Sequence, residues 1–288
     1  MDLLHTQYIA PPFSPCTTAV TVHDILFESH PEYFDRLFVL RSRLLVRHSV
    51  RRSVVFTVSD FSRKQISETF RVSLDTVHTI PNGVDGARFF PGSEGREVVE
   101  NLGLEAGRYF LTVGRLEPRK NHANLLRAWA KLGKPRPRLA IVGQRHFGYD
   151  DALNLIHKLR LEGDVVVLED ISDGQLPAFY RNAKAFVYCS WAEGFGMPVL
   201  EAMASGIPVI SSATTALSEI CADTALLVAP DNIDEISNAV RELDQKADVR
   251  QNLILRGLGR VKDFDWKNSA DIVRKAYLGH FGLAMNGC

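Results

Sequence analysis

Cysteine is scarce: Cys16, Cys189, Cys221 and Cys288 are the only four in 288 residues, and none forms a C-x-x-C pair. So widely spread, they supply neither a structural zinc site nor a disulfide framework, and they fit a reducing compartment. Long apolar runs are missing too, since nothing approaches the roughly 18 consecutive apolar residues of a membrane span. The first residues, MDLLHTQYIAPPFSP, lack the basic start and apolar stretch of a secretory signal. The expectation is a cytoplasmic chain, neither exported nor membrane-spanning. Charge of one sign is not in excess: Lys plus Arg and Asp plus Glu are both 34, so no global field draws the chain to nucleic acid. No glycine precedes Gly83, which excludes a glycine-rich loop from the first part of the chain.

What is present is an alternation. With 45% hydrophobic residues the chain can bury one large core or two smaller ones. From Tyr109 onward, short β-branched runs alternate with amphipathic stretches, the pattern of parallel βαβ units. Strands are predicted at Tyr109 to Val113, Leu139 to Val142, Val165 to Leu168, Ala185 to Tyr188, Pro208 to Ile210 and Ala225 to Val228. Six such strands make a complete doubly wound domain with its ligand crevice at the strand carboxyl ends. The Gly-rich and charged stretch 82–107 reads as a linker, so the chain divides into a partial first domain (1–90), a linker (91–107), a second domain (108–262) and a C-terminal helix (263–288) packing back toward the first. Before the linker, strands are predicted at Ala19 to Val22, Val54 to Val58 and Val77 to Ile80, with helices near Glu32 to Arg51 and Phe61 to Phe70. A six-stranded domain takes on the order of 150 residues, so the first domain is expected to be incomplete, with nothing before Ala19 supplying a strand. Uncovered sheet edge then implies self-association or a missing N-terminal partner.

Two loops carry chemistry. The run Glu193, Gly194, Phe195, Gly196, Met197, Pro198, Val199, Leu200, Glu201 follows a strand and opens a helix. Its glycines let backbone approach a ligand, Pro198 suits a first helical turn, and a helix N-terminus attracts anions. Glu201 can accept paired hydrogen bonds from ribose hydroxyls, and Glu193 can reach a hexose hydroxyl. The bland alternative is a simple turn with Glu201 complementing the helix dipole. The second loop, Gly114, Arg115, Leu116, Glu117, Pro118, Arg119, Lys120, Asn121, places cations at another strand's carboxyl end, where a guanidinium and a lysine suit a diphosphate; a solvated βα loop is its alternative.

These residues resemble glycosyltransferase family 4, a family of two-domain GT-B enzymes that retain anomeric configuration. The resemblance rests on E-x7-E from Glu193 to Glu201 and on G-R-L-x-P-x-K-N from Gly114 to Asn121. It extends to Ile80 to Asp85, to Val58, Ser59, Phe61 and Ser62, and to the helix around Trp266, covering about residues 18–278. It implies an α/β GT-B fold with a complete C-terminal Rossmann-like domain beside an incomplete N-terminal one. It also implies Arg115 and Lys120 as the diphosphate clamp, Glu201 as the ribose ligand, Glu193 as the donor-sugar contact, and backbone from Phe195 to Pro198 against the sugar and phosphate. His23 stands where the family often has a histidine facing the reacting centre, and its imidazole suits proton traffic near neutrality; a structural hydrogen bond is its other reading. The family's front-face displacement, in which the leaving diphosphate takes the acceptor proton, requires no enzymic nucleophile.

The implied function is transfer of a hexose from a nucleotide diphosphate sugar to a glycan or lipid-linked acceptor. The segments His23 to Phe27 and Pro31 to Phe34 look like bacterial mannosyltransferases of polysaccharide assembly, which makes GDP-mannose the expected donor. The alternative is a non-catalytic nucleotide-sugar-binding remnant, or one chain of a split enzyme. A nicotinamide dehydrogenase is set aside because neither Gly194-Phe195-Gly196 nor Gly257-Leu258-Gly259 has the third glycine of the dinucleotide fingerprint. No metal or other cofactor is expected: the only Asp-x-Asp, Asp263-Phe264-Asp265, reads more simply as a helix cap. Between Arg36 and Ser59 lie six arginines and no acid, interleaved with leucines. That stretch reads either as a peripheral face for anionic membrane or as a solvated helix with one apolar face on the sheet.

Overall fold

The computed structural model describes residues 2–146 and 149–281. The chain forms two compact units. One holds the residues up to Gly83, Glu193–Phe195 and those from Phe264 on; the other holds Val84–Ala192 and Gly196–Asp263.

In the first unit the elements are β1 (Leu3–Gln7), β2 (Thr17–Thr21), α1 (Leu26–Ser29), α2 (Arg36–Val50), β3 (Val54–Thr57), α3 (Asp60–Phe70) and β4 (Val77–Thr79). The four strands are parallel and ordered β1-β2-β3-β4. Strand β1 corrects the expectation that nothing before Ala19 supplies a strand. It pairs Leu3 with Thr17 through Gln7 with Thr21, and it reaches β2 through a nonhelical stretch of residues 8–16. Without a crossover helix, the βαβ rhythm that reveals a parallel strand in sequence is missing. Helix α2 starts later than expected because the Asp35 carboxylate accepts from the Leu37 and Phe38 amides, leaving Pro31–Tyr33 as a separate 3-10 turn. Val20, Val22, Ile25, Val55, Ile66, Phe70 and Val77 form the core.

The second unit runs α4 (Arg96–Glu100), β5 (Tyr109–Val113), α5 (His122–Ala130), β6 (Arg138–Val142), α6 (Tyr149–Lys158), β7 (Val165–Leu168), α7 (Leu176–Arg181), β8 (Ala185–Tyr188), α8 (Met197–Ala204), β9 (Val209–Ser212), α9 (Thr215–Cys221), β10 (Leu226–Val228), α10 (Ile233–Gln245) and α11 (Ala247–Val261). Its six parallel strands are ordered β10-β9-β8-β5-β6-β7. The continuous apolar runs of β5, β6 and β8 are buried, as helices on both faces of a parallel sheet require. Trp129, Phe110, Ile141, Val187 and Val240 anchor the core.

The expected linker at 91–107 is folded onto this unit instead. It contains α4, it buries Val99 and Leu104, and the Gly107 amide donates to the Asn182 carbonyl at 2.7 Å. The Glu94 carbonyl also accepts from the Arg181 and Asn182 side chains, so two apolar residues and a few hydrogen bonds dock a charged segment.

The last helix, α12 (Trp266–His280), is capped by the Asp265 carboxylate and is grouped with the first unit. There the Tyr277 hydroxyl meets His5 Nδ1 at 2.5 Å and Ser269 Oγ donates to the Pro81 carbonyl. Residues 282–288 of the expected C-terminal segment, Cys288 among them, lie outside the described residues.

Candidate functional site

In the second unit the chain adds β6 and β7 on one side of β5, then crosses to the other side for β8, β9 and β10. Strand order therefore reverses between β5 and β8. In an open parallel sheet the ligand crevice lies outside the strand carboxyl ends at such a reversal. The loops that leave β5 and β8 are the two that carry the predicted residues.

The loop after β5 is held by backbone pairing and by one buried side chain. The Gly114 amide donates to the Val142 carbonyl at 2.9 Å. A Cβ at Gly143 would stand 1.8 Å from the Gly114 oxygen, so only glycine at 143 lets the loop lie there. Residues Pro118–Lys120 form a 3-10 turn closed by Asn121, whose φ of 58° is left-handed. The Asn121 side chain, 2% exposed, donates to the Cys189 and Pro230 carbonyls at 2.9 and 2.6 Å. Asparagine tolerates left-handed backbone and supplies the two donors, so a single residue turns the chain and ties it to β8.

Of the cations, Arg115 is exposed and its guanidinium has no partner among the described residues. Lys120 Nζ donates to the Tyr188 hydroxyl, at the end of β8, at 2.6 Å. Arg119 is occupied structurally: it bridges to Glu117 at 2.7 Å and donates to the Ala192 carbonyl at 2.8 Å.

After β8, Gly196 has φ 127° and begins α8; a Cβ there would stand 2.7 Å from the Leu217 side chain. Met197 and Pro198 form the first turn, and no side chain caps it. One turn on, the Glu201 carboxylate accepts from the Tyr180 hydroxyl at 2.8 Å. Burial raises the Glu201 pKa, while the Tyr180 hydrogen bond and the nearby Arg88 charge oppose the rise. Behind the loop, His122 is buried and pushed down to about 4, by desolvation first and by Lys120 second.

The remaining predicted residues lie in the first unit. Glu193 is 8% exposed. The Gly194 carbonyl accepts from Ser59 and Ser62 hydroxyls at 2.7 and 3.3 Å, and a Cβ at 194 would collide with Asp24. Phe195 meets Phe264 edge to face at 5.8 Å. His23, just past β2, pairs with the Gln7 amide oxygen at 2.5 Å; burial lowers its pKa, against the nearby Asp24, which favours the neutral imidazole. The structure thus gathers Gly114, Arg115, Lys120, Gly196, Met197, Pro198 and Glu201 in one unit, and His23, Glu193, Gly194 and Phe195 in the other.

Sequence reasoning did not single out Tyr188, Tyr180, Arg88, Gln7 or Gly143. Tyr188 had a detectable signal, as a polar-tipped aromatic ending a buried strand. Among the described residues no group of three or more His, Cys, Asp or Glu is placed to hold a metal.

Residues 96–258 match the family model described as "Glycosyl transferases group 1", and residues 1–88 match "Glycosyltransferase Family 4". The chain is 33% identical over 263 residues to O-antigen chain mannosyltransferase B of Escherichia coli, covering 89% of this chain and 69% of that protein. It is 32% identical over 257 residues to O-antigen chain mannosyltransferase RfbU of Salmonella typhimurium, covering 88% and 67%. Among solved structures, sucrose-phosphate synthase from Thermosynechococcus elongatus superposes with a TM-score of 0.83 at 22% identity, over 97% of this chain and 74% of that one. Anabaena HepE in complex with UDP-glucose gives 0.78 at 22% identity, over 93% and 73%. Both likenesses show a GT-B fold.

Proposed function

The chain belongs to the group 1 glycosyltransferases, and from that premise we propose that it moves a mannosyl residue, with retention, from GDP-mannose to a glycan or lipid-linked acceptor at the cytoplasmic side. The observation that carries this reading is the pair Arg115 and Lys120 on the loop leaving β5, at the reversal of strand order. In this reading both cations and the uncapped start of α8 hold the diphosphate, and Glu201 accepts from the ribose hydroxyls. Glu193 contacts a hexose hydroxyl, and neutral His23 hydrogen-bonds a donor or acceptor hydroxyl. The names of the E. coli and Salmonella relatives support mannose as the sugar.

The chemistry asks for charge stabilisation. As the bond from the anomeric carbon to the diphosphate breaks, the acceptor oxygen bonds to the same face and its proton passes to a phosphate oxygen. Negative charge grows on the leaving group, where fixed cations stabilise it most. Release of GDP from GDP-mannose in the presence of a mannose-terminated lipid-linked acceptor, with an α-linked product by nuclear magnetic resonance, is the expected result. Nucleotide binding without any transfer favours a binding protein instead, and release from UDP-sugars alone overturns the choice of donor.

A further inference from the structure

Beside His23, the chain of the first unit is strained. Strand β1 ends at Gln7, and the next residue, Tyr8, has a φ of 59°. The Ile9 amide donates to the Gln7 carbonyl at 2.6 Å, spanning Tyr8 alone. A turn this tight with positive φ at its centre is rare and strained, the more so for a bulky aromatic. Strain of that kind persists only where the surroundings hold it. Here the Tyr8 amide donates to the Thr21 carbonyl of β2 at 2.8 Å, and the Ala10 amide to the hydroxyl of buried Ser49 at 2.9 Å.

The turn brings two side chains onto one target. Gln7 pairs with Thr21 in the sheet and His23 follows Thr21 by two residues, so the alternation of strand side chains puts Gln7 and His23 on one face. The Gln7 amide oxygen meets His23 Nε2 at 2.5 Å, and the Tyr8 ring lies 5.5 Å from the imidazole, tilted by 46°. No other group among the described residues hydrogen-bonds the imidazole. The neighbouring Asp24 carboxylate accepts from the Leu26 amide at 3.1 Å. An amide oxygen can only accept, so Nε2 carries the proton and, in the neutral ring, Nδ1 keeps its lone pair.

We infer that Gln7 and Tyr8 are positioning residues for His23, fixing its imidazole with the proton on Nε2 so that Nδ1 can only accept a hydrogen bond from a substrate hydroxyl. In the mechanism proposed above the reacting hydroxyl passes its proton to phosphate, so the hydroxyl at Nδ1 is one that keeps its proton. His23 then orients substrate and moves no proton. The substrate half of this inference rests on the transfer reading; the state of the ring does not.

The test reads the imidazole directly, by long-range proton–nitrogen correlation on the full chain carrying isotope-labelled histidine, without substrate. His23 is assigned by its absence from His23→Gln. The wild type should show a proton on Nε2 that is protected from solvent exchange, and no proton on Nδ1. Gln7→Leu should lower that protection about tenfold, the worth of one hydrogen bond, with an unchanged thermal unfolding midpoint. Gln7→Glu, whose carboxylate also only accepts, should keep it, and Tyr8→Gly, which relaxes the turn and removes the ring, should reduce it. With GDP-mannose and a lipid-linked acceptor, Gln7→Leu should lower kcat about tenfold with KM for the donor within about twofold, and Gln7→Glu should restore most of the rate. A proton on Nδ1 in the wild type, or protection that Gln7→Leu leaves unchanged, overturns the inference. So does an unchanged kcat in Gln7→Leu once the protection is lost, which reduces Gln7 to a fold contact. A wild type with the expected ring that transfers no sugar supports the positioning of His23 and sinks the transfer reading instead.

Discussion

Both units are parallel sheets, one of four strands and one of six, and the difference that bears on the site is the order in which the strands are laid down. Each is a parallel sheet fed through its strand carboxyl ends, but the first grows in one direction, β1-β2-β3-β4, whereas the second reverses between β5 and β8. Only the reversal parts two neighbouring loops to opposite faces and opens a crevice. In the proposed reading the diphosphate-binding residues belong to the second unit, whereas His23 and Glu193, whose chemistry suits hydroxyl groups better than phosphates, belong to the first. The lesson is that similar sheets acquire different chemistry through the order in which strands are laid down.

That contrast can be broken most forcefully at Asn121. Asn121→Ala removes both donors to the Cys189 and Pro230 carbonyls and places alanine at a φ of 58°. It should cost roughly 3 to 5 kcal/mol in denaturant unfolding of the second unit, and nucleotide binding with it. A cost under about 1 kcal/mol would show that the loop does not depend on this tie.

Acid should act next most strongly. His122 has a folded pKa of about 4 against 6.5 unperturbed, so its contribution to stability is present above pH 6.5 and lost as pH falls toward 4. The loss amounts to about 3 kcal/mol and should be sharply reduced in His122→Gln, as followed by unfolding free energies across that pH range.

A smaller effect belongs to Tyr180→Phe. Removing the hydroxyl that favours an ionised Glu201 should weaken nucleoside diphosphate binding about fivefold, or about 1 kcal/mol. It should also move the acid side of the binding profile to higher pH, since the carboxyl then protonates more readily. An unshifted profile would mean that Glu201 does not bind as the carboxylate.

Smallest of all is His23→Ala, which should leave nucleoside diphosphate affinity within about twofold of wild type while lowering transfer, because its chemistry suits a hydroxyl of the sugar or acceptor. A large loss of bare nucleotide affinity would blur the division of labour between the units.

Much of this was legible in the chain. All six strands of the second unit were, because each carries a short, largely apolar run and helical segments separate them. The two motif loops were legible because glycine, proline and clustered charge mark a strand-to-helix turn. Strand β1 was not, since Leu3–Gln7 precedes a nonhelical connection and carries only five residues of pattern. Nor was the docking of 91–107, which rests on Val99 and Leu104 meeting a surface that exists only once the unit has folded. The partners that aim the predicted residues, Tyr188 for Lys120, Tyr180 for Glu201 and Gln7 for His23, lie 68, 21 and 16 positions away in sequence, beyond the reach of local pattern.

The central claim is that the cations leaving β5 bind a diphosphate, and calorimetric titration of GDP into the wild type, Arg115→Ala and Lys120→Ala addresses it most directly. The account predicts measurable binding by the wild type and a loss of roughly 1.5 to 3 kcal/mol in each variant, the worth of a charge-assisted contact. Absence of GDP binding by the wild type, or unchanged affinity in both variants, would contradict it.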